Sequence, residues 1–219
     1  MILASLFVDA FRFMGNNASL LLSATAELSK LAFASLGIAL VIAFPLGLWL
    51  GHKHRGLTLA LGVSTLGRAL PSIALIGVFI AWLGVGFLNV AVALVVLAVP
   101  PILTNTYLAV DGVDRDAVDA ARGMGLTEAQ ILLRIELPLG LPLILAGIRI
   151  GAVFVIATAT IAAVAGVTGG LGDIILNSAS YGDAGVVAAA LCVSAVAFAT
   201  AGILGLARGA AFRRMSPNA

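Results

Sequence analysis

Of the 219 residues, 62% are hydrophobic and 10% charged, more apolar surface than a soluble core of this length can bury, so lipid has to cover much of it. The formal net charge is only +2 and no basic cluster is interleaved with aromatics, which excludes a nucleic-acid partner. The single cysteine, Cys192, stands in an apolar run without a partner, which excludes a disulfide framework and a thiolate metal site.

The N-terminal stretch MILASLFVDAFRFMGNN has no basic start, and Asp9 interrupts its apolar run, so it does not read as a cleaved signal. The following NNASLLLSATAELSK mixes apolar and polar residues at near-helical spacing, with Glu27 and Lys30 close to its end, and predicts an interfacial helix leading into the first span. A charge at the bilayer centre costs roughly 2.5–3.5 kcal/mol, so long charge-free windows mark the spans. They predict crossings at about 31–51, 69–84, 88–110, 143–166 and 184–207. Gly84, Gly86 and Asn89 in LGVGFLN divide the second crossing from the third. After the fourth crossing, Gly-rich sequence followed by IILNSAS predicts a short re-entrant or interfacial helix. The fold class expected is all-α, a multi-pass helical bundle with five crossings forming one domain over residues 1–219.

Basic residues give that bundle a sidedness. Lys53, Arg55 and Arg68 follow the first crossing, Arg115, Arg122 and Arg134 the third, and Arg208, Arg213 and Arg214 the fifth. Only Arg12 and Lys30 fall on the other side, which predicts an external N-terminus and a cytoplasmic C-terminus.

Between the third and fourth crossings lies a charge-dense stretch, residues 111–138, too long for a mere connection. Asp114 is placed to cap a short helix, with Asp116 and Asp119 in or near its first turn and Gly123 and Gly125 bracketing its end. Thr127 and Gln130 form a capping-box pattern for a second helix, expected to stop at Pro138. The pattern predicts a helix, a tight glycine turn and a helix, displayed to the cytoplasm. Asp111, Asp114 and Asp116 lack the glycine and distal glutamate of an EF-hand, so capping is the reading for this acidic run.

Asp119, Ala120 and Ala121, then Gly125, then Ile135, Leu137 and Pro138 resemble the EAA motif of type I ABC importer permeases, with Asp119 in place of the leading glutamate. The resemblance extends over most of the chain, from about Leu31 to Ala207. It implies the type I importer permease fold and a coupling role for the loop, which would enter a cleft on an ATP-hydrolysing subunit. The coupling residues it implies are Asp119, Ala120, Ala121, Gly123, Met124, Gly125, Leu126, Ile135, Leu137 and Pro138. It further implies a second permease copy or paralogue, ATP-binding cassette ATPase subunits, an extracytoplasmic solute-binding protein, and residence in a bacterial or archaeal cytoplasmic membrane. No Gly-rich nucleotide loop followed by Lys-Ser/Thr occurs here, so the chain is expected to bind no cofactor, with ATP and Mg held by the partner ATPase. RALPSIALIG, PPILTNTYLAVDGV and TATIAAVAGVTGGLGD are similar to the osmoprotectant branch, which imports glycine betaine, carnitine, choline or similar compounds. Methionine and phosphonate permeases share the architecture and a GGLG-type element, which leaves another small solute as the alternative.

Thr104, Asn105, Thr158 and Thr160 are intramembrane polar residues that could line a translocation pathway, although local backbone bonding or helix packing suits each as well. Gly147 and Gly151 form a GxxxG suited to close helix packing, and Gly169, Gly170 and Gly172 suit a hinge or a tight turn. Arg149 can snorkel to the interface. His52 and His54, without clustered ligands, read as interfacial polar residues and not as a metal site. An intramembrane enzyme would need an acid, base, nucleophile or metal set on one face of the spans, and none is apparent. An autonomous channel or carrier leaves the charged loop without a purpose.

Overall fold

The computed structural model describes residues 2–56, 58, 60, 62, 65 and 71–215, and among these it contains helices and turns but no strand. The helices are α1 (Ile2–Asn16), α2 (Ala18–His52), α3 (Ser72–Leu83), α4 (Phe87–Asp111), α5 (Arg115–Gly123), α6 (Glu128–Ile131), α7 (Leu137–Ala159), α8 (Leu171–Leu176) and α9 (Ser178–Met215). A π-helical turn (Leu132–Glu136) precedes α7, and a 3-10 turn (Thr160–Ala165) follows it. Among the described residues, four helical runs are long and apolar enough to cross a bilayer: Ala18–His52, Phe87–Asp111, Glu128–Ala165 and Ser178–Phe212. The crossing expected at 69–84 corresponds to α3, an apolar helix of 12 residues, and residues 66–70 lie outside those described.

The helix expected to lead into the first crossing is present. It runs without a break into that crossing as α2, 35 residues long and so about 52 Å at 1.5 Å per residue. Its buried positions Leu21, Ala24, Leu28, Leu31 and Ser35 keep one helical stripe through the change from polar to apolar sequence. Glu27 and Lys30, spaced i,i+3, pair with each other on the exposed surface, so neither charge interrupts the helix.

Pro138, in contrast to expectation, does not stop the second loop helix. Helix continues from Glu128 to Ala165, with Pro138 one residue into α7. The reason is the π turn just before it. There the Leu137 N–H bonds to the Leu132 carbonyl, five residues back, so the proline ring meets a ladder already widened.

The expected turn between α3 and α4 is present. Gly84 (φ +75°) and Gly86 (φ +129°) reverse the chain there, and the Asn89 amide donates to the Gly84 carbonyl at 2.8 Å. Downstream, the 3-10 turn closes on Gly166 in the left-handed conformation. The Gly-rich stretch that follows leads into the short helix α8.

The chain divides into two compact units. One comprises Met1–Leu36, Leu70–Val95 and Ala152–Thr200. It buries Leu31, Ile76, Val90, Leu94, Ile156 and Leu171, and α8 lies directly on the 3-10 turn, because any Cβ on Gly172 would collide with the Thr160 backbone. The other comprises Gly37–Ala69, Val96–Gly151 and Ala201–Ala219. It is built on close helix contacts through glycine: Gly51 faces Val110 and the Tyr107 carbonyl, Gly140 faces the Ala109 carbonyl, and Gly147 faces Asn105 and the Pro101 carbonyl. Large apolar side chains such as Trp82, Val41, Phe198 and Leu206 are left exposed, Trp82 to 84%, as a lipid-facing surface requires.

Candidate functional site: a capped helix–turn–helix

Residues 111–138 all belong to the second unit and fold as the local signals dictate. The Asp114 carboxylate accepts the Asp116 N–H at 3.0 Å and caps α5. At the far end Gly125 adopts φ +84°, its N–H bonding to the Arg122 carbonyl at 3.0 Å while the Leu126 N–H bonds to the Ala121 carbonyl at 3.2 Å. The capping box is complete: Thr127 Oγ1 accepts the Gln130 N–H, and Gln130 Oε1 accepts the Thr127 N–H at 2.9 Å. Behind this turn Val113, Val118, Ala121 and Ile131 form a small apolar core, with Leu126 and Ile135 packed against it.

That core divides the motif residues into two groups with different work. Ala121, Leu126 and Ile135 hold the two helices together. Asp119, Ala120, Gly123, Met124 and Gly125 are displayed, Met124 to 72%. Leu137 is half-buried and Pro138 exposed where the loop passes into α7. Asp119 lies in the middle of α5, beyond its first turn, and bonds to Arg122 at 2.9 Å.

Arg122 joins the two loop helices, since its Nε also donates to Glu128 at 3.0 Å. This bond holds the Glu128 carboxyl below its ordinary range and raises the guanidinium of Arg122. A carboxyl shifted downward contributes its contact at all pH above the ordinary carboxylate range and loses it only as pH falls through the lowered value, so the contact is intact at neutral pH. Both groups are solvated, and the pair adds orientation more than stability.

Sequence reasoning missed the other partner of Glu128. His52, the last residue of α2, places Nε2 3.3 Å from Glu128 and Nδ1 2.6 Å from Glu136. Glu136 is 1% exposed and His52 9%. A usable signal was present: a carboxylate between Ile135 and Leu137 at the edge of an apolar helix is seldom buried without a partner. His54 makes a similar but more exposed contact, with Nδ1 2.7 Å from Asp111.

The pathway candidates are distributed over both units. Thr104 and Asn105 lie in the second, where Thr104 donates to the Ala60 carbonyl at 3.0 Å and Asn105 to the Pro101 carbonyl at 2.7 Å. Thr158 and Thr160 lie in the first, Thr158 buried and Thr160 donating to the Ala157 carbonyl at 2.7 Å.

An apolar helical bundle that displays a self-contained, doubly capped helical knob has the form of a membrane permease subunit. Residues 43–212 match the model of the family described as binding-protein-dependent transport system inner membrane component, and the chain belongs to that family. Among curated relatives it is similar to the carnitine transport permease protein OpuCB of Listeria monocytogenes, 41% identical over 68% of this chain and 66% of that one. It is 37% identical to the choline transport system permease protein OpuBB of Bacillus subtilis, over 75% of each chain. It is also 37% identical to the osmoprotectant import permease protein OsmW of Salmonella typhimurium, over 80% of this chain and 84% of that one. Among solved structures, a chain of the MetNI methionine ABC transporter in an inward-facing conformation superposes with a TM-score of 0.75 at 21% identity, covering 90% of this chain and 98% of that one. The likeness is one of fold, that of the type I ABC importer permease.

Proposed function

We propose that this chain forms the translocation pathway of an ATP-driven importer for glycine betaine or a related quaternary ammonium osmoprotectant. The observation that carries the coupling role is the knob itself: an exposed Met124 tip on a loop with its own core, followed by an unbroken helical run from Glu128 to Ala165. Force applied at the tip reaches α7 through continuous helix, whereas a flexible loop would absorb it. The relatives' names for carnitine, choline and osmoprotectant transport support the substrate class.

In this reading the loop faces the cytoplasm and enters a cleft on an ATP-binding cassette subunit, with five crossings, the N-terminus outside and the C-terminus inside. Two permease copies, or this chain and a paralogue, assemble with two ATPases and an extracytoplasmic binding protein. ATP and Mg sit on the ATPases, and this chain binds no cofactor and catalyses no reaction. ATP-driven closure of the motors moves the two knobs, opens the bundle outward to the docked binding protein, and hydrolysis returns it inward. Recognition of the quaternary ammonium belongs mainly to the binding protein, where an aromatic cage suits that cation. Thr104, Asn105, Thr158 and Thr160 remain the pathway residues proposed here.

Two measurements test the reading. Cysteine introduced as Met124→Cys is expected to crosslink to cysteines placed along the ATPase cleft, and proteoliposomes of the whole complex are expected to take up labelled betaine, carnitine or choline in preference to methionine. No crosslink in an active complex would remove the coupling role, and preferential methionine uptake would remove the substrate class.

A further inference from the structure

We infer that His52 is a positioning residue for coupling, a pin that ties the knob to the end of α2 by holding Glu128 on one ring nitrogen and Glu136 on the other. The inference rests on the coupling role proposed above and adds to it the element that fixes the knob's orientation.

Three element ends meet at this ring. His52 closes α2, Glu128 opens α6, and Glu136 closes the π turn. Glu128 and Glu136 are eight residues apart, a spacing that in a plain α-helix leaves the two side chains about 80° apart around the axis. A π turn inserts one extra residue into the ladder, so Glu136 takes the face that i+7 would occupy, in line with Glu128. The π turn therefore aims two carboxylates at one imidazole. One carboxylate oxygen stands at each ring nitrogen, Glu136 at Nδ1 and Glu128 at Nε2.

The contact does not stop at His52. Glu128 is held in turn by Arg122, and Arg122 by Asp119, the residue in the leading carboxylate position of the motif. Lys53 adds its charge near Glu128. A polar chain thus runs Asp119–Arg122–Glu128–His52–Glu136, from the displayed face of the knob to a carboxylate buried in the second unit. Displacing the knob without moving α2 would break the chain at His52, so the ring makes the two elements move together.

The test uses the complete complex of permease, ATPase and binding protein in proteoliposomes, and reads ATP hydrolysed per solute imported. His52→Ala is expected to raise that ratio about fivefold or more, the lower end of coupling energies between sites, with the ATPase still co-purifying. His52→Gln, which still donates to Glu136 but cannot span to Glu128, is expected to fall between. The double variant His52→Leu/Glu136→Leu keeps the site filled and leaves no buried charge, so it is expected to assemble yet still waste ATP. A normal ratio in the double variant would reduce the pair to a packing device and overturn the inference, as would a normal ratio in an assembled His52→Ala complex. If His52→Ala does not assemble, the double variant alone decides. Loss of the Met124→Cys crosslink in an otherwise wild-type complex would instead strike the coupling role itself, so the two failures are distinguishable.

Discussion

Gly147→Val is expected to leave the permease misfolded or melting well below the wild type. A Cβ on Gly147 would overlap the Cβ of Asn105 and stand 2.9 Å from the Pro101 carbonyl oxygen. Neither neighbour can yield cheaply. The carbonyl belongs to α4, and the Asn105 amide is bonded to that same oxygen at 2.7 Å, so its side chain cannot rotate away without losing the bond. Overpacking of this kind costs about 1–3 kcal/mol, and valine adds two further methyl groups where even one carbon is in conflict. At the upper end of that range, about 3 kcal/mol, and at roughly 2–4 °C per kcal/mol for a chain of this size, the melting temperature in detergent should fall by about 6–12 °C, with a broadened size-exclusion peak. Gly151→Ala, one helical turn away, supplies the contrast. Its Cβ would meet the flexible end of Ile102 at 3.2 and 3.4 Å, and a few tenths of an ångström of movement relieves the contact. Equal damage from the two substitutions, or none from Gly147→Val, would mean that α4 and α7 are not packed through Gly147.

Much of the loop was legible in the sequence because its determinants are local. The Asp114 cap, the Thr127–Gln130 box and the glycine turn at Gly125 are each set by residues within five positions of one another, and each is present. The turn at Gly84 and Gly86 was legible for the same reason. Features decided by packing were not. The continuity of α2 across Leu31 follows from a buried stripe that ignores the change in polarity, a property of packing and not of local sequence. Pro138 is an ordinary helix stop by local rules, yet the helix passes it directly after a π turn that also carries Glu136 toward His52. The His52–Glu136 contact spans 84 positions, and no periodicity in the chain joins its two ends. What sequence did offer was the incongruity of Glu136 between two apolar residues, a sign that something was paired without saying with what. The motif, too, was visible as a pattern before its division of labour was: spacing cannot tell that Ala121 and Ile135 face inward to the small core while Asp119 and Met124 face out.

Gly125→Val should cost little in bundle stability and most of the transport. At φ +84° a residue with a Cβ sits in the left-handed region at a cost of roughly 1–2 kcal/mol, and a β-branched residue is a greater outlier there. Space is not the obstacle within this chain, because a Cβ on Gly125 would have no heavy atom within 4 Å. Valine would therefore relieve itself by leaving the left-handed region. That opens the bonds from the Gly125 N–H to Arg122 and from the Leu126 N–H to Ala121, and draws Leu126 off the core that holds α5 against α6. The knob loses its shape while the glycine contacts among α2, α4 and α7 are untouched. Uptake by the reconstituted complex is expected to fall about tenfold, the equivalent of some 1.4 kcal/mol, with the melting temperature near that of the wild type. Gly125→Asn separates conformation from contact, since asparagine tolerates the left-handed region and should retain most of the uptake. Full transport-coupled ATP hydrolysis by Gly125→Val would show that the turn can be lost without consequence. If asparagine proved as harmful as valine, the demand for glycine would come from the groove that receives the knob and not from the backbone angle.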